Sequence, residues 1–141
     1  MRIVDAETSG TIFDVGLSVG TSLIVPGRID VASASPGGIM PTGVLAAPCV
    51  QAGIDNPSLG WAIVAIDGYL VVRAIDEIVS APVAGDLLFL SGTEPGKFTL
   101  VDPRPSDICV ILGRAVSIGP EGSLWYPCRW NPANEPILPP E

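Results

Sequence analysis

The chain has 141 residues, a net charge of −8 and only 16% charged side chains, with 16 Gly and 15 Pro. One domain of this length can bury a core without disulfides. Its single Lys and six scattered Arg form no basic patch, which excludes a nucleic-acid partner. The low charge density predicts that apolar surface is covered in an oligomer or larger assembly, with a compact monomer as the alternative.

No membrane segment is expected. The longest uncharged stretch, residues 31–54, is long enough to span a bilayer but is interrupted by Pro and Gly throughout. It therefore cannot satisfy its own backbone as a helix. Residues 1–7 (Met-Arg-Ile-Val-Asp-Ala-Glu) contain no apolar core of a signal peptide, so none is predicted.

In the first 60 residues the pattern indicates short strands. We predict strands at 11–15, 21–25 and 29–32, with a turn at Pro26-Gly27 between the last two, and a loop over 33–43. Helix is disfavoured because Pro and Gly leave few uninterrupted windows, and the best of them begins with β-branched residues.

The strongest local signal follows. Two apolar β-branched runs, 61–66 and 69–73, flank Asp67-Gly68. An Asp-Gly pair between such runs favours a type I′ turn, so we predict a β-hairpin over 61–73.

Four more strands are predicted beyond this hairpin. Gly85-Asp86 opens 87–90, a Gly-containing turn leads to 97–101, and 109–116 forms the third. The fourth, 123–129, follows a Gly-Pro-Glu-Gly turn. The predicted fold class is all-β: a small β-barrel or sandwich of short antiparallel strands with extended N- and C-terminal arms.

The predicted domain organisation is a single β domain over 1–126, with its hairpin-rich part at 59–118, and a Pro-rich extended arm over 127–141. Five prolines hold that arm extended. Trp130, Ile137 and Leu138 are large apolar groups that a solvated tail does not need. We therefore predict that they contact a neighbouring subunit or a larger shell.

Catalytic chemistry is not indicated. The chain has no His, and Cys49, Cys109 and Cys128 form no Cys-x-x-Cys pair, so we assign no catalytic, cofactor-binding or metal residues. We expect a protein that is not an enzyme and holds no cofactor. An alternative is a small trimeric β-fold hydrolase, because residues 53–55 before a strand superficially resemble the nucleoside-binding motif of dUTPases. Pro57 and Ser58 stand where that motif has an acidic residue and a Tyr.

A broader resemblance covers 59–118. Residues 85–91 (Gly-Asp-Leu-Leu-Phe-Leu-Ser), a Gly-x-x-Thr at 96–99 and 111–116 (Ile-Leu-Gly-Arg-Ala-Val) follow in order. This succession resembles the capsid decoration (cement) proteins of tailed phages, with related modules in phage tail and fibre proteins.

The resemblance implies a non-enzymatic homotrimer that binds the major capsid protein and stabilises the mature capsid. Its location would be the capsid exterior of the virion, and the host cytoplasm during assembly. A tail or fibre component is the second alternative.

Overall fold

One long strand organises the fold in this computed structural model, which describes residues 2–8, 16–21, 23, 28–46, 50–51, 60–76, 81–116 and 124–132. The described residues contain ten strands and no helix, which confirms the predicted all-β class. The strands are β1 Arg2–Thr8, β2 Ser18–Thr21, β3 Ile29–Val31, β4 Gly43–Leu45, β5 Val50–Gln51, β6 Gly60–Arg73, β7 Leu87–Leu90, β8 Phe98–Thr99, β9 Ile111–Ala115 and β10 Trp125–Trp130.

The two halves of β6 belong to two different curled sheets. Its first half pairs with β1 on one side and with β4 and β5 on the other. From β4 the ladder continues through β2 to β3, and Thr8 of β1 pairs with Ile29 of β3. We call this closed set of strands the first ring.

The second half of β6 pairs with β10, which continues to β9, β7 and β8. A parallel bridge between Ala74 and Phe98 brings β8 back to the end of β6. We call this set the second ring. Because β6 is shared, the two rings are joined along one continuous backbone.

The predicted hairpin at Asp67-Gly68 is wrong. Gly68 does adopt φ +88°, but the described residues contain no positive-φ residue other than Gly, so Asp67 does not. A type I′ turn needs positive φ at both central residues. Because only Gly68 is left-handed, the strand continues through this position. Gly68 marks the point where β6 changes partners from β1 to β10.

The other predicted strands agree better. Strands β7, β9 and β10 lie within or close to 87–90, 109–116 and 123–129, and β3 lies within 29–32. Of the strand predicted at 21–25, Thr21 is the last residue of β2, and residues 22, 24 and 25 lie outside the described residues, as do 11–15 and the Pro26-Gly27 turn. Strands β1, β4 and β5 had not been predicted.

Two apolar clusters fill the fold. The first is small and is built on Leu17, Val19, Leu45 and Val64. The second is larger: it fills the second ring, where the rings of Phe98 and Tyr126 meet edge-to-face with centroids 5.9 Å apart, and it extends to Val44 and Ala65 of the first ring. Burial of aromatic and aliphatic groups is the main stabilising contribution in such a fold.

Candidate docking surface

The second half of β6 and all of β10 alternate strictly between two faces. In β-strands successive side chains point to opposite sides, and residues directly opposite on paired strands share a side. The inward side chains are fully or nearly fully buried: Leu70, Val72, Tyr126, Cys128 and Trp130. The opposite side is therefore the outside of the second ring.

That outside is apolar and aromatic. Tyr69 is 68% exposed, Val71 51% and Trp125 44%. Opposite them on neighbouring strands, Pro127 pairs with Val71, and Arg129 pairs with both Tyr69 and Arg114. We call these six side chains, Tyr69, Val71, Arg114, Trp125, Pro127 and Arg129, the outer face. Exposed apolar patches of this kind are typical of protein–protein contacts.

Trp125 is held in a defined position. The Arg73 guanidinium carbon lies 5.2 Å from the centre of a Trp125 ring, within the range of a cation–π contact. Gly16, at φ +90°, approaches both residues so closely that an added Cβ would lie 3.0 Å from Trp125 Cδ1 and 3.0 Å from Arg73 N. The outer face therefore ends at a rigid aromatic side chain.

Beside Trp125 the surface sinks into a groove of about 410 Å³. It lies where β6 parts from β4 and continues toward β10. The described residues that line it are apolar: Val44, Leu45, Ala46, Ala65, Leu70, Val71 and Trp125. Such a lining suits aliphatic side chains better than a polar ligand.

An ion-pair network lies beside Trp125, because Arg73 stands directly opposite it on β6. Arg73 Nη2 lies 2.6 Å from Asp76 Oδ1, and Lys97 Nζ lies 3.1 Å from the same oxygen and 3.3 Å from Glu94 Oε1. Hydrogen bonds from Arg73 and then from Lys97 lower the pKa of Asp76 below its ordinary value. The network thus fixes the Arg73 side chain that stacks on Trp125.

We expect stability to decrease in acid, in part through Asp76. Because the folded-state pKa is below the unfolded value, the contribution is complete above the ordinary 3.8 and is lost as the pH falls through the folded value. Urea unfolding of the wild type and of Asp76→Asn at pH 7 and pH 3 measures this, and the wild type should lose more stability between the two. Equal losses would contradict the assignment.

A second ionic cluster lies on the loop between β8 and β9. The Arg104 guanidinium donates to both carboxylate oxygens of Asp102, with Nη2 2.6 Å and Nε 3.0 Å from Oδ2 and Nε 3.1 Å from Oδ1. Hydrogen bonds from Arg104 lower the pKa of Asp102. Burial raises the pKa of the nearby Cys109 thiol, which keeps it protonated and poorly nucleophilic. These contacts hold the loop between β8 and β9 in place.

Trp130, Ile137 and Leu138 were predicted to contact a partner from an extended arm, and the structure places Trp130 elsewhere. Trp130 is only 7% exposed and belongs to the core of the second ring. Its strand β10 pairs with β6 and β9 through residue 130, so 127–130 are part of the β module and not of an arm that begins at 127. Ile137 and Leu138 lie outside the described residues, and their contact role stays a prediction.

The sequence pattern did not identify the outer-face residues as a contact surface. In a strand over 125–130, Trp125 and Trp130 point to opposite sides, since they are five residues apart. Which of the two sides is buried depends on the neighbouring strands. Trp130 stands opposite Gly68 and Gly113, so no side chain of those two residues competes with the indole for the inner side.

The described residues contain no group of three or more His, Cys, Asp or Glu placed to hold a metal ion. Within the same part of the chain, none of the secondary structure is a helix of the length and apolarity that a membrane crossing requires. The outer face and its groove form the candidate functional site.

The fold is similar to that of a protein chain from the capsid of Myoviridae phage XM1. The TM-score is 0.61 and the identity 20%, over 92% of this chain and 82% of that chain. At this identity the likeness establishes the shared fold. No protein-family model matches the sequence, and no curated protein matches it.

Proposed function

We propose that the protein is a non-enzymatic virion component that binds the major capsid protein and stabilises the mature phage capsid as a decoration protein. The observation that carries the proposal is the fold shared with a phage capsid chain over 92% of this chain. The order of the sequence motifs in 85–116 supports the same class. Self-association, as a homotrimer, is part of the proposal.

The outer face supports a role in assembly. It presents Tyr69, Val71 and Trp125 on strands whose opposite sides are packed into a core. Large rigid aromatic side chains are the residues that dominate binding energy at protein interfaces. Such a surface binds through shape and burial and needs no chemical reaction.

The proposed mechanism is thermodynamic linkage. A protein that binds only the mature arrangement of shell subunits stabilises that arrangement by RT ln(1 + [L]/Kd), about 4 kcal/mol at a thousandfold excess over Kd. Several linked copies at one junction of the shell increase the effect, since each further contact is made at high effective concentration.

Sedimentation tests the proposal. Lysate of infected cells is fractionated on a density gradient, and the protein is expected to co-sediment with filled capsids and to be absent from free tails. Purified protein added to bare mature capsids should raise the temperature at which they release DNA. Sedimentation with tails would replace the proposal by the tail or fibre alternative, and sedimentation with neither would contradict both.

A further inference from the structure

We infer that the groove beside Trp125 receives the C-terminal segment 133–141 of a second copy of this chain. The inference deepens the proposed self-association and rests on it, but it does not depend on capsid binding. The occupant is thus a named segment of the same protein, presented by a neighbour.

The chemistry of the segment matches that of the groove. In 133–141 (Ala-Asn-Glu-Pro-Ile-Leu-Pro-Pro-Glu) the only large apolar side chains are Ile137 and Leu138, and they are adjacent. The described residues that line the groove are apolar, and its volume of about 410 Å³ is in the range of pockets that bury small ligands. Two adjacent aliphatic side chains would pack against this apolar wall.

The charges are complementary as well. The segment carries two carboxylates, Glu135 and Glu141, and the outer face carries two guanidinium groups, Arg114 and Arg129. Arg129 lies two residues along β10 from Pro127, the partner of Val71, which is a step of about 7 Å. Glu135 precedes Ile137 by two residues, about 6 Å in an extended Pro-rich chain. With Ile137 beside Val71, Glu135 is therefore close to Arg129.

The direction of β10 favours docking of a neighbouring copy's C-terminal segment over docking of the chain's own C-terminal segment. The strand runs from Trp125, beside the groove, to Trp130, and Asn131 N still donates to Leu112 O at 2.9 Å, so the chain leaves in the same direction. With Ile137 beside Val71, which stands opposite Pro127, the way back from residue 132 covers five residues at strand spacing, about 17 Å. The five residues from 132 to 137 span only about 15 Å when fully extended, and reversing the chain direction uses part of that length. The segment of a second copy has no such limit.

Proline makes this docking favourable. Pro136, Pro139 and Pro140 restrict the backbone before binding, so less conformational entropy is lost when the segment becomes ordered. Trp125, held by Arg73, is likewise fixed in advance.

Disulfide trapping tests the inference in the full-length chain. In a Cys49→Ser, Cys109→Ser background, Val71→Cys and Leu138→Cys proteins of different tag length are mixed and oxidised. The matched control replaces Val71→Cys by Val101→Cys, which is 72% exposed and lies outside the outer face. We expect the Val71–Leu138 heterodimer to exceed the control on the order of tenfold, from its higher effective concentration.

Equal yields with Val101→Cys would overturn the inference, and so would a Val71→Cys/Leu138→Cys protein that links only within its own chain. A second measurement uses no cysteine. The Ile137→Asp/Leu138→Asp chain should elute as a smaller species than the wild type, whereas Val101→Asp should keep the wild-type size. An unchanged size for the double variant would overturn the inference, and capsid co-sedimentation reports separately on the proposed function.

Discussion

Replacing Trp130 by alanine is expected to lower the free energy of unfolding by about 3–5 kcal/mol, the usual loss for truncation of a large buried aromatic side chain. Trp130 is 7% exposed and packs in the core of the second ring. It also stands opposite Gly68 and Gly113, which have no side chains to fill the space that its removal would leave. Urea unfolding followed by far-UV circular dichroism measures the loss.

Trp125→Ala is the matched control, because it removes the same side chain from the same strand. Trp125 is 44% exposed, and its contact with Arg73 contributes on the order of 1 kcal/mol. We therefore expect a much smaller loss of stability than for Trp130→Ala. Had Trp130 been part of an arm outside the β module, both substitutions would change stability little, and that result would contradict the structure.

Gly113→Ala is expected to have the second largest effect, a loss of roughly 2–4 kcal/mol from strain and overpacking together. Gly113 lies in β9 at φ +155°. An added Cβ would overlap the Arg129 carbonyl oxygen and would lie 3.1 Å from Cys128 Sγ. The carbonyl belongs to the backbone of β10, so relief requires the two strands to move apart.

Gly85→Ala is the control for the strain alone. Gly85 has φ +92°, and no atom lies within 4 Å of an added Cβ. Its substitution is expected to lower the unfolding free energy by only about 1–2 kcal/mol, the cost of a left-handed conformation. If the Gly113→Ala and Gly85→Ala proteins unfold at the same urea concentration, the proposed clash between β9 and β10 is absent.

Local sequence signals were sufficient where a strand is bounded by turn chemistry. Gly85-Asp86 predicts the start of a strand at residue 87, and β7 begins there. The same signals failed where distant partners decide. Asp67-Gly68 has the local chemistry of a turn, but the residues on either side of it form ladders with β1 and with β10, and these pairings keep β6 continuous.

The outer face could not be predicted from the sequence for a related reason. Alternation in β10 separates Trp125 from Trp130 but does not identify the buried side. That choice depends on the partner strands β9 and β6, which place Gly113 and Gly68 opposite Trp130. The Pro-rich composition suggested that an arm begins at 127, yet Pro127 itself lies opposite Val71 in a paired strand.

The shared strand β6 also fixes the order in which the protein can be completed during its synthesis. The first ring uses residues up to 67, so its last strand is synthesised before β7 to β10. The second ring cannot close until β10, which ends at residue 130, has also emerged. In that interval the half of β6 that carries Leu70 and Val72 lacks β10, and contacts between residues so far apart in the chain form slowly. A nascent chain therefore exposes the unpaired edge of this apolar strand. We expect newly made copies to be most prone to aggregate in this interval.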